Sequence, residues 1–222
     1  MDDLKRRAAE QAAMRVDSGM VVGLGTGSTA AFAVEAIAAR LARGEIRDIV
    51  GIPTSNRTRH LALQRAIPLT TLNERPHIDL TIDGADEVDP QGNLIKGGGG
   101  ALLWEKIVAT ATRIYLIVVD QSKLVPVLGR RIALPVEVMP FGWRTHVETI
   151  RALGAEPVLR MGAQDEPFVS DGGHFILDCR FAEGIPDPHL VDHELRARPG
   201  VVETGLFLGM APEVIVGGPE SP

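Results

Sequence analysis

Apolar side chains at Leu4, Ala8, Ala12 and Val16 fall every fourth residue, the stripe of an amphipathic helix over residues 4–16. A short β-rich run, Met20–Leu24, follows and ends in glycines. Residues 30–43 return to helical spacing, with Phe32, Ile37 and Leu41 on one side and Gly44 placed to cap the end. The same grammar repeats, with strands expected at 48–52, 80–82 and 114–119 and helices at 55–65 and 101–112. Strands alternating with helices predict a mostly parallel sheet with crossover helices. After about residue 128 the pattern changes. A strand at 136–139, a helix at 143–153, a strand at 156–160, a pairing of 168–169 with 175–177 across Asp171-Gly172-Gly173, a helix at 188–197 and a strand at 201–207 spell β-α-β-β-α-β, the split βαβ arrangement. Val214–Val216 is left over and is expected to rejoin the first sheet. The fold class that follows is α/β: a Rossmann-like, mostly parallel sheet formed by residues 1–128 plus 208–222, with a smaller α+β, ferredoxin-like domain over residues 129–207.

Composition narrows the function classes. With 45% hydrophobic and 23% charged residues in 222, the chain lacks the low-apolar, high-charge signature of disorder. A net charge of −6 and only 4% aromatic residues argue against a nucleic-acid partner. Cys179 is the single cysteine, so no intrachain disulfide forms and a reducing, cytoplasmic setting is expected. No apolar run reaches the ~18 residues of a membrane span, and the N-terminal segment has no signal-like apolar stretch. The 23 basic residues are 19 Arg and four Lys (Lys5, Lys96, Lys106, Lys123), while Gly23, Gly25, Gly27 and Gly97–Gly100 cluster tightly.

These clusters sit where strands give way to helices. Gly23-Leu24-Gly25-Thr26-Gly27-Ser28-Thr29 has the form of an anion-binding turn at a helix N-terminus, although a tight turn needed only for packing explains the glycines as well. It is neither a dinucleotide fingerprint, since Ser28 stands where a third glycine is needed, nor a P-loop. Asp83-Gly84-Ala85-Asp86-Glu87-Val88-Asp89 follows a strand end and reads as a solvated acidic loop, a divalent-cation site, or acid/base groups for a hydroxylated ligand. Four glycines after Lys96 imply a close backbone approach rather than a linker, and a compact ammonium suits a developing oxyanion. Glu105 begins the next helix, off the stripe expected from Leu103 and Ile107, and reads either as a functional group or as a surface carboxylate favoured by the helix dipole. Asp120-Gln121-Ser122-Lys123 brings another lysine to a strand end.

Together, Gly-Thr-Gly-Ser-Thr at 25–29, Asp-Gly-Ala-Asp-Glu at 83–87, Lys-Gly-Gly-Gly at 96–99, Glu-Lys at 105–106 and Leu-Pro-Val-Glu-Val at 134–138 resemble the type A ribose-5-phosphate isomerase family over nearly the whole chain. Trp104 departs from the Arg that many members carry there. The resemblance implies interconversion of D-ribose 5-phosphate and D-ribulose 5-phosphate through an enediolate, a step of the non-oxidative pentose phosphate pathway, with no metal or organic cofactor and a homodimeric or homotetrameric assembly. It implies Glu105 as the base, Asp83 and Asp86 for hydroxyl protons and ring opening, and Lys96 for the oxyanion. It also implies contacts to substrate from Thr26, Gly27, Ser28, Thr29, Gly84, Ala85, Gly97, Gly98, Gly99 and Lys123. The competing readings are a sugar-phosphate lactonase or aminosugar-phosphate deaminase, a ligand-sensing domain of a transcription regulator, and a CoA transferase. The sensing domain lacks room for a DNA-binding module before the first strand, and the chain is short for a CoA transferase. His189 and His193, spaced i and i+4, are a candidate metal pair without a third ligand.

Overall fold

The computed structural model describes residues 2–217. In chain order the first elements are α1 (Asp2–Ala13), β1 (Val21–Leu24), α2 (Ser28–Ala42), β2 (Val50–Pro53), α3 (Asn56–Gln64), β3 (Ile78–Asp83), β4 (Glu87–Val88), β5 (Leu94–Ile95), α4 (Leu102–Thr110) and β6 (Thr112–Asp120). They continue with β7 (Leu134–Val138), α5 (Val147–Ala152), β8 (Ala155–Leu159), β9 (Phe175–Phe181), α6 (Pro188–Arg196), β10 (Val201–Thr204), β11 (Leu206–Phe207) and β12 (Glu213–Gly217).

The chain divides into two units. The first comprises the residues through Ala85, Trp104–Lys123 and those from Met210; the second comprises Asp86–Leu103 and Leu124–Gly209. The expected division, 1–128 with 208–222 against 129–207, differs from these units at residues 86–103, 124–128 and 208–209, which lie with the second unit. Of the tail assigned to the first domain, residues 218–222 lie outside the described residues.

The first unit is built on a sheet of order β12-β6-β3-β1-β2, parallel throughout. β12 takes its place beside β6, as the leftover Val214–Val216 run foretold. Ala8, Ala9, Ala12 and Ala13 of α1 and Ala33, Val34 and Ile37 of α2 pack with Val22 and Leu24 of β1 and Leu80 and Ile82 of β3. Small alanines let these helices approach closely, and the apolar area removed from water contributes about 25 cal/mol per Å². Val108 of α4 forms a separate cluster with Ile52 and Ile78. Arg40 is buried, its guanidinium Nη1 donating to the carbonyls of Ala13, the last residue of α1, and of Val16 just beyond it. In sequence terms the strand order is 2-1-3-4-5, so the winding reverses between β1 and β3. Open α/β sheets bind ligands outside the carboxyl ends of their strands at this reversal.

The second unit carries an antiparallel sheet of order β10-β7-β9-β8 with α5 and α6, the expected β-α-β-β-α-β succession. Leu134, Val136 and Val138 alternate into its core beside Leu177, Cys179, Val191 and Leu195. α6 starts where Asp187 accepts from the Leu190 amide and Pro188 occupies the first turn.

Three expectations are corrected here. Residues 168–169 form no strand, because β9 pairs with β7 and β8 and the Asp171–Gly173 turn is closed by local bonds between Ser170 and His174. The expected strand 201–207 breaks at Gly205, where an added Cβ would lie 2.4 Å from the Lys96 carbonyl, and Leu206–Phe207 pairs instead with β5. The expected helix 143–153 opens as a 3-10 turn over Trp143–His146 before α5 begins.

Candidate active site

In the first unit the functional motifs leave the carboxyl ends of β1, β3 and β6. The turn after β1 passes so near β3 that a Cβ on Gly25 would sit 2.3 Å from Asp83 Oδ1 and 2.5 Å from the Asp83 Cα, which makes glycine obligatory. Asp83, fully buried, accepts from the Thr26 amide at 3.0 Å and the Gly84 amide at 2.8 Å through Oδ1. Burying a carboxylate is costly unless hydrogen bonds compensate, and these backbone donors hold one oxygen in a set direction. The Thr26 hydroxyl lies within 2.8 Å of Thr54 Oγ1 and 2.7 Å of Ser55 Oγ, and Thr58 Oγ1 donates to the Gly25 carbonyl. The hydroxyl of Thr26 thus ties the β1 turn to the β2 turn.

Gly27 carries φ +114° and caps α2 without a side-chain bond, leaving the first-turn amides of the helix around Ser28 and Thr29 without a side-chain partner. Gly27 and Ser28 are exposed and Thr29 is half-buried. Such a 15-residue helix end carries a partial positive charge. At the end of β6, Asp120 accepts from the Ser122 amide at 2.9 Å and from the Ser122 hydroxyl. Burial pushes the Asp120 carboxyl up, but these bonds and the nearby Lys5 and Lys123 outweigh it and hold the group below its ordinary value. The Lys5 ammonium is 3.7 Å from Asp120 Oδ2.

α4 buries Leu102, Glu105, Lys106 and Ala109, positions i, i+3, i+4 and i+7, so Glu105 lies on the inward stripe at 5% exposure. The stripe expected from Leu103 and Ile107 is corrected: Ile107 is 46% exposed. This removes the reading of Glu105 as a surface carboxylate.

In the second unit, Asp86 and Lys96–Gly100 lie together. The Gly98 amide donates to Asp86 Oδ2 at 2.7 Å, and a Cβ on Gly98 would come within 2.9 Å of that carboxylate. Lys96 is 2% exposed, its amide bonded to the Gly205 carbonyl at 2.9 Å and its Nζ 5.6 Å from the Phe207 ring centroid. Gly97 adopts φ +99°, and Gly98 and Gly99 are exposed. Neighbouring Glu87 is not of this group: its carboxylate accepts from the amides of Gly129, Arg131 and Ile132 and fastens that loop. The chain passes between units at Ala85–Asp86, inside the acidic motif, and returns at Leu103–Trp104, just before Glu105.

A family model for ribose 5-phosphate isomerase A (phosphoriboisomerase A) matches residues 50–221. The chain belongs to the ribose 5-phosphate isomerase A family. It is 52% identical over 216 residues to a ribose-5-phosphate isomerase A of Chloroflexus aurantiacus, covering 97% of this chain and 90% of the relative. A Synechococcus sp. relative of the same name is 51% identical over 220 residues, covering 99% and 95%. Among solved structures, a D-ribose-5-phosphate isomerase in complex with phospho-erythronic acid superposes with TM-score 0.94 at 43% identity, over 97% of this chain and 94% of that one. The ribose 5-phosphate isomerase of Plasmodium falciparum superposes with TM-score 0.94 at 39% identity, over 97% and 94%. The chain is therefore an enzyme, an isomerase.

Against the family pattern, Trp104 lines an apolar hollow with Leu63, Leu69, Leu72 and Ile107 in the first unit. Lys5, one of the four lysines, reaches the end of β6 from α1, a placement that the helical stripe of residues 4–16 does not reveal. His189 and His193 sit on α6, and among the described residues no group of three or more His, Cys, Asp or Glu is arranged to hold a metal ion.

Proposed function

We propose that Glu105, Asp83, Asp86 and Lys96 carry out the aldose–ketose isomerisation that defines the family, the interconversion of D-ribose 5-phosphate and D-ribulose 5-phosphate. The observation that carries this reading is burial: Asp83, Lys96 and Glu105 are 0%, 2% and 5% exposed at the positions the motifs marked. Ionisable groups so deeply buried concentrate at functional sites. After ring opening, for which Asp83 and Asp86 handle hydroxyl protons, Glu105 takes the proton from C2 and the electron pair moves to the carbonyl oxygen. The resulting enediolate, with its negative charge on O1, is stabilised by the Lys96 ammonium; Asp83 and Asp86 move the hydroxyl proton from O2 to O1, and return of the carbon-bound proton to C1 leaves the carbonyl at C2, the ketose. Gly27, Ser28, Thr29 and Lys123 take the phosphate end, a role supported by the N-terminus of α2, whose Gly27 cap offers no side chain, and by the cation of Lys123 in the turn after β6. Thr26, Gly84 and Ala85 flank the sugar end, Thr26 also acting through its hold on Asp83. Gly97, Gly98 and Gly99 lend backbone groups next to Lys96. The relative holding phospho-erythronic acid supports an anionic, phosphorylated polyol as ligand.

The test is conversion of ribose 5-phosphate in EDTA, with exchange of solvent deuterium into the product. Glu105→Gln lowers kcat by about 10²–10⁴, the range of a positioned acid/base, with KM nearly unchanged. Turnover near wild type in that variant refutes the assignment. A cytoplasmic homodimer or homotetramer completes the proposal. Among the described residues no helix is long and apolar enough to cross a membrane, and Phe141 is 92% exposed, an apolar ring suited to burial against another copy. Sedimentation equilibrium reads the assembly.

A further inference from the structure

Arg160 follows β8 in the second unit and none of the motifs includes it. Its backbone is fixed on both sides, the amide donating to the Ile176 carbonyl at 2.8 Å and the carbonyl accepting from Phe168 at 2.9 Å. Its Nε and Nη2 form a two-pronged pair with Asp178, a residue of the internal strand β9, with Nε 2.9 Å from Oδ2. The remaining nitrogen, Nη1, donates to the Gly97 carbonyl at 2.9 Å and the Gly98 carbonyl at 3.2 Å.

The Gly97 carbonyl and the Gly98 amide belong to one peptide plane, in which the two groups point in opposite directions. Arg160 holds the oxygen side of that plane, and Asp86 accepts from its N–H side at 2.7 Å. Between two glycines such a plane has few steric barriers to flipping, so an external clamp is what selects its orientation. Phe168 lies against Gly100, where a Cβ would meet the ring at 2.4 Å, and limits the same loop from its far end. The geometry points to Arg160, locked by Asp178, as a positioning residue that sets the Gly97–Gly98 peptide and through it the carboxylate of Asp86. This rests on the reading of Asp86 as an acid/base group. Lysine cannot replace it, because one ammonium does not span a carboxylate and two carbonyls in a plane.

The experiment is steady-state kinetics on Arg160→Ala, Arg160→Lys and Asp178→Asn, with thermal unfolding of each and a cycle against Asp86→Asn. Arg160→Ala is expected to lower kcat about 10- to 100-fold, the effect of a misplaced group. Its KM for ribose 5-phosphate is expected to stay within about threefold. Guanidinium at millimolar concentration restores kcat in Arg160→Ala while leaving wild type unchanged, and Arg160→Ala adds little further loss in the Asp86→Asn background. Full additivity with Asp86→Asn, or loss of activity that follows loss of folded protein without rescue, overturns the inference. If Arg160→Ala does not fold, the folded Asp178→Asn decides by the same additivity criterion. Wild-type kcat in Asp86→Asn alone refutes the reading of Asp86 itself, whereas a low kcat there with an unaffected Arg160→Ala overturns only the positioning role.

Discussion

Replacing Glu87 by Gln keeps size and shape and removes the charge from a carboxylate that is 1% exposed. Its Oε2 accepts from the Gly129 amide at 2.6 Å, and its Oε1 from Arg131 and Ile132 at 2.8 and 3.1 Å. A Gln amide has one acceptor oxygen. The better orientation keeps the two bonds at Oε1 in neutral, weaker form and turns an NH₂ group toward the Gly129 N–H, so one charge-assisted bond is lost and a buried donor is left facing another. Bonds to charged groups contribute about 1.5–3 kcal/mol each. Relief of the carboxylate's desolvation offsets part of the loss, leaving a net destabilisation of about 3 kcal/mol. Urea denaturation at pH 7 and one fixed protein concentration measures it: with a slope of about 3 kcal/mol/M the midpoint falls by about 1 M. Glu87→Ala, which removes both acceptor oxygens and with them all three bonds, falls further. The kcat of the folded variant stays near wild type, since Glu87 serves the loop at 129–132 and not the substrate. A midpoint unchanged within about 0.2 M refutes the reasoning, because exposed acidic residues behave that way. An unchanged midpoint with kcat reduced more than about 100-fold instead makes Glu87 a partner of Asp86 in the chemistry.

Lys96→Ala is expected to lower kcat by about 10²–10³, the effect of deleting one oxyanion donor, and a change confined to KM makes it a binding residue instead. Gly25→Ala drives a Cβ into the Asp83 carboxylate and backbone; kcat is expected to fall about 10²-fold and stability by about 1–3 kcal/mol, readable in one preparation by assay and thermal melt. Burial, with the Arg198 guanidinium beside it, holds the His146 imidazole below its ordinary 6.5. The unfolded chain therefore takes up this proton first, so the stabilisation is complete above about pH 6.5 and is lost as pH falls below it, by at most about 1.4 kcal/mol per pH unit. His146→Gln flattens that limb in urea titrations from pH 7 to 5.

The alternation of strands and helices, the split βαβ succession and the return of residues 214–216 were readable along the chain because each depends on periodicity within a few residues. The same holds for the glycine and acidic motifs, whose positions after β1 and β3 follow from chain order alone. Pairing partners are a different matter. β4, β5 and β11 are two residues each, too short for any period, and exist only because distant segments meet. Residues 86–103 carry no compositional mark of the unit they join. Which face of α4 is inward could not be settled by counting apolar residues, since its buried stripe includes a glutamate and a lysine, and burial of charge is decided by surroundings rather than by residue type. Glu87 and Asp86 are adjacent acids in one motif, yet one holds a loop 42 residues away and the other meets a glycine amide 12 residues on. Arg160 is one of 19 arginines, and only the folded chain brings it to the Gly97 carbonyl 63 positions back. The local order of the chain thus determined the elements and the chemistry available to them; long-range contact, which alone sets burial and hydrogen-bond partners, decided which of those side chains are buried and which backbone groups each one holds.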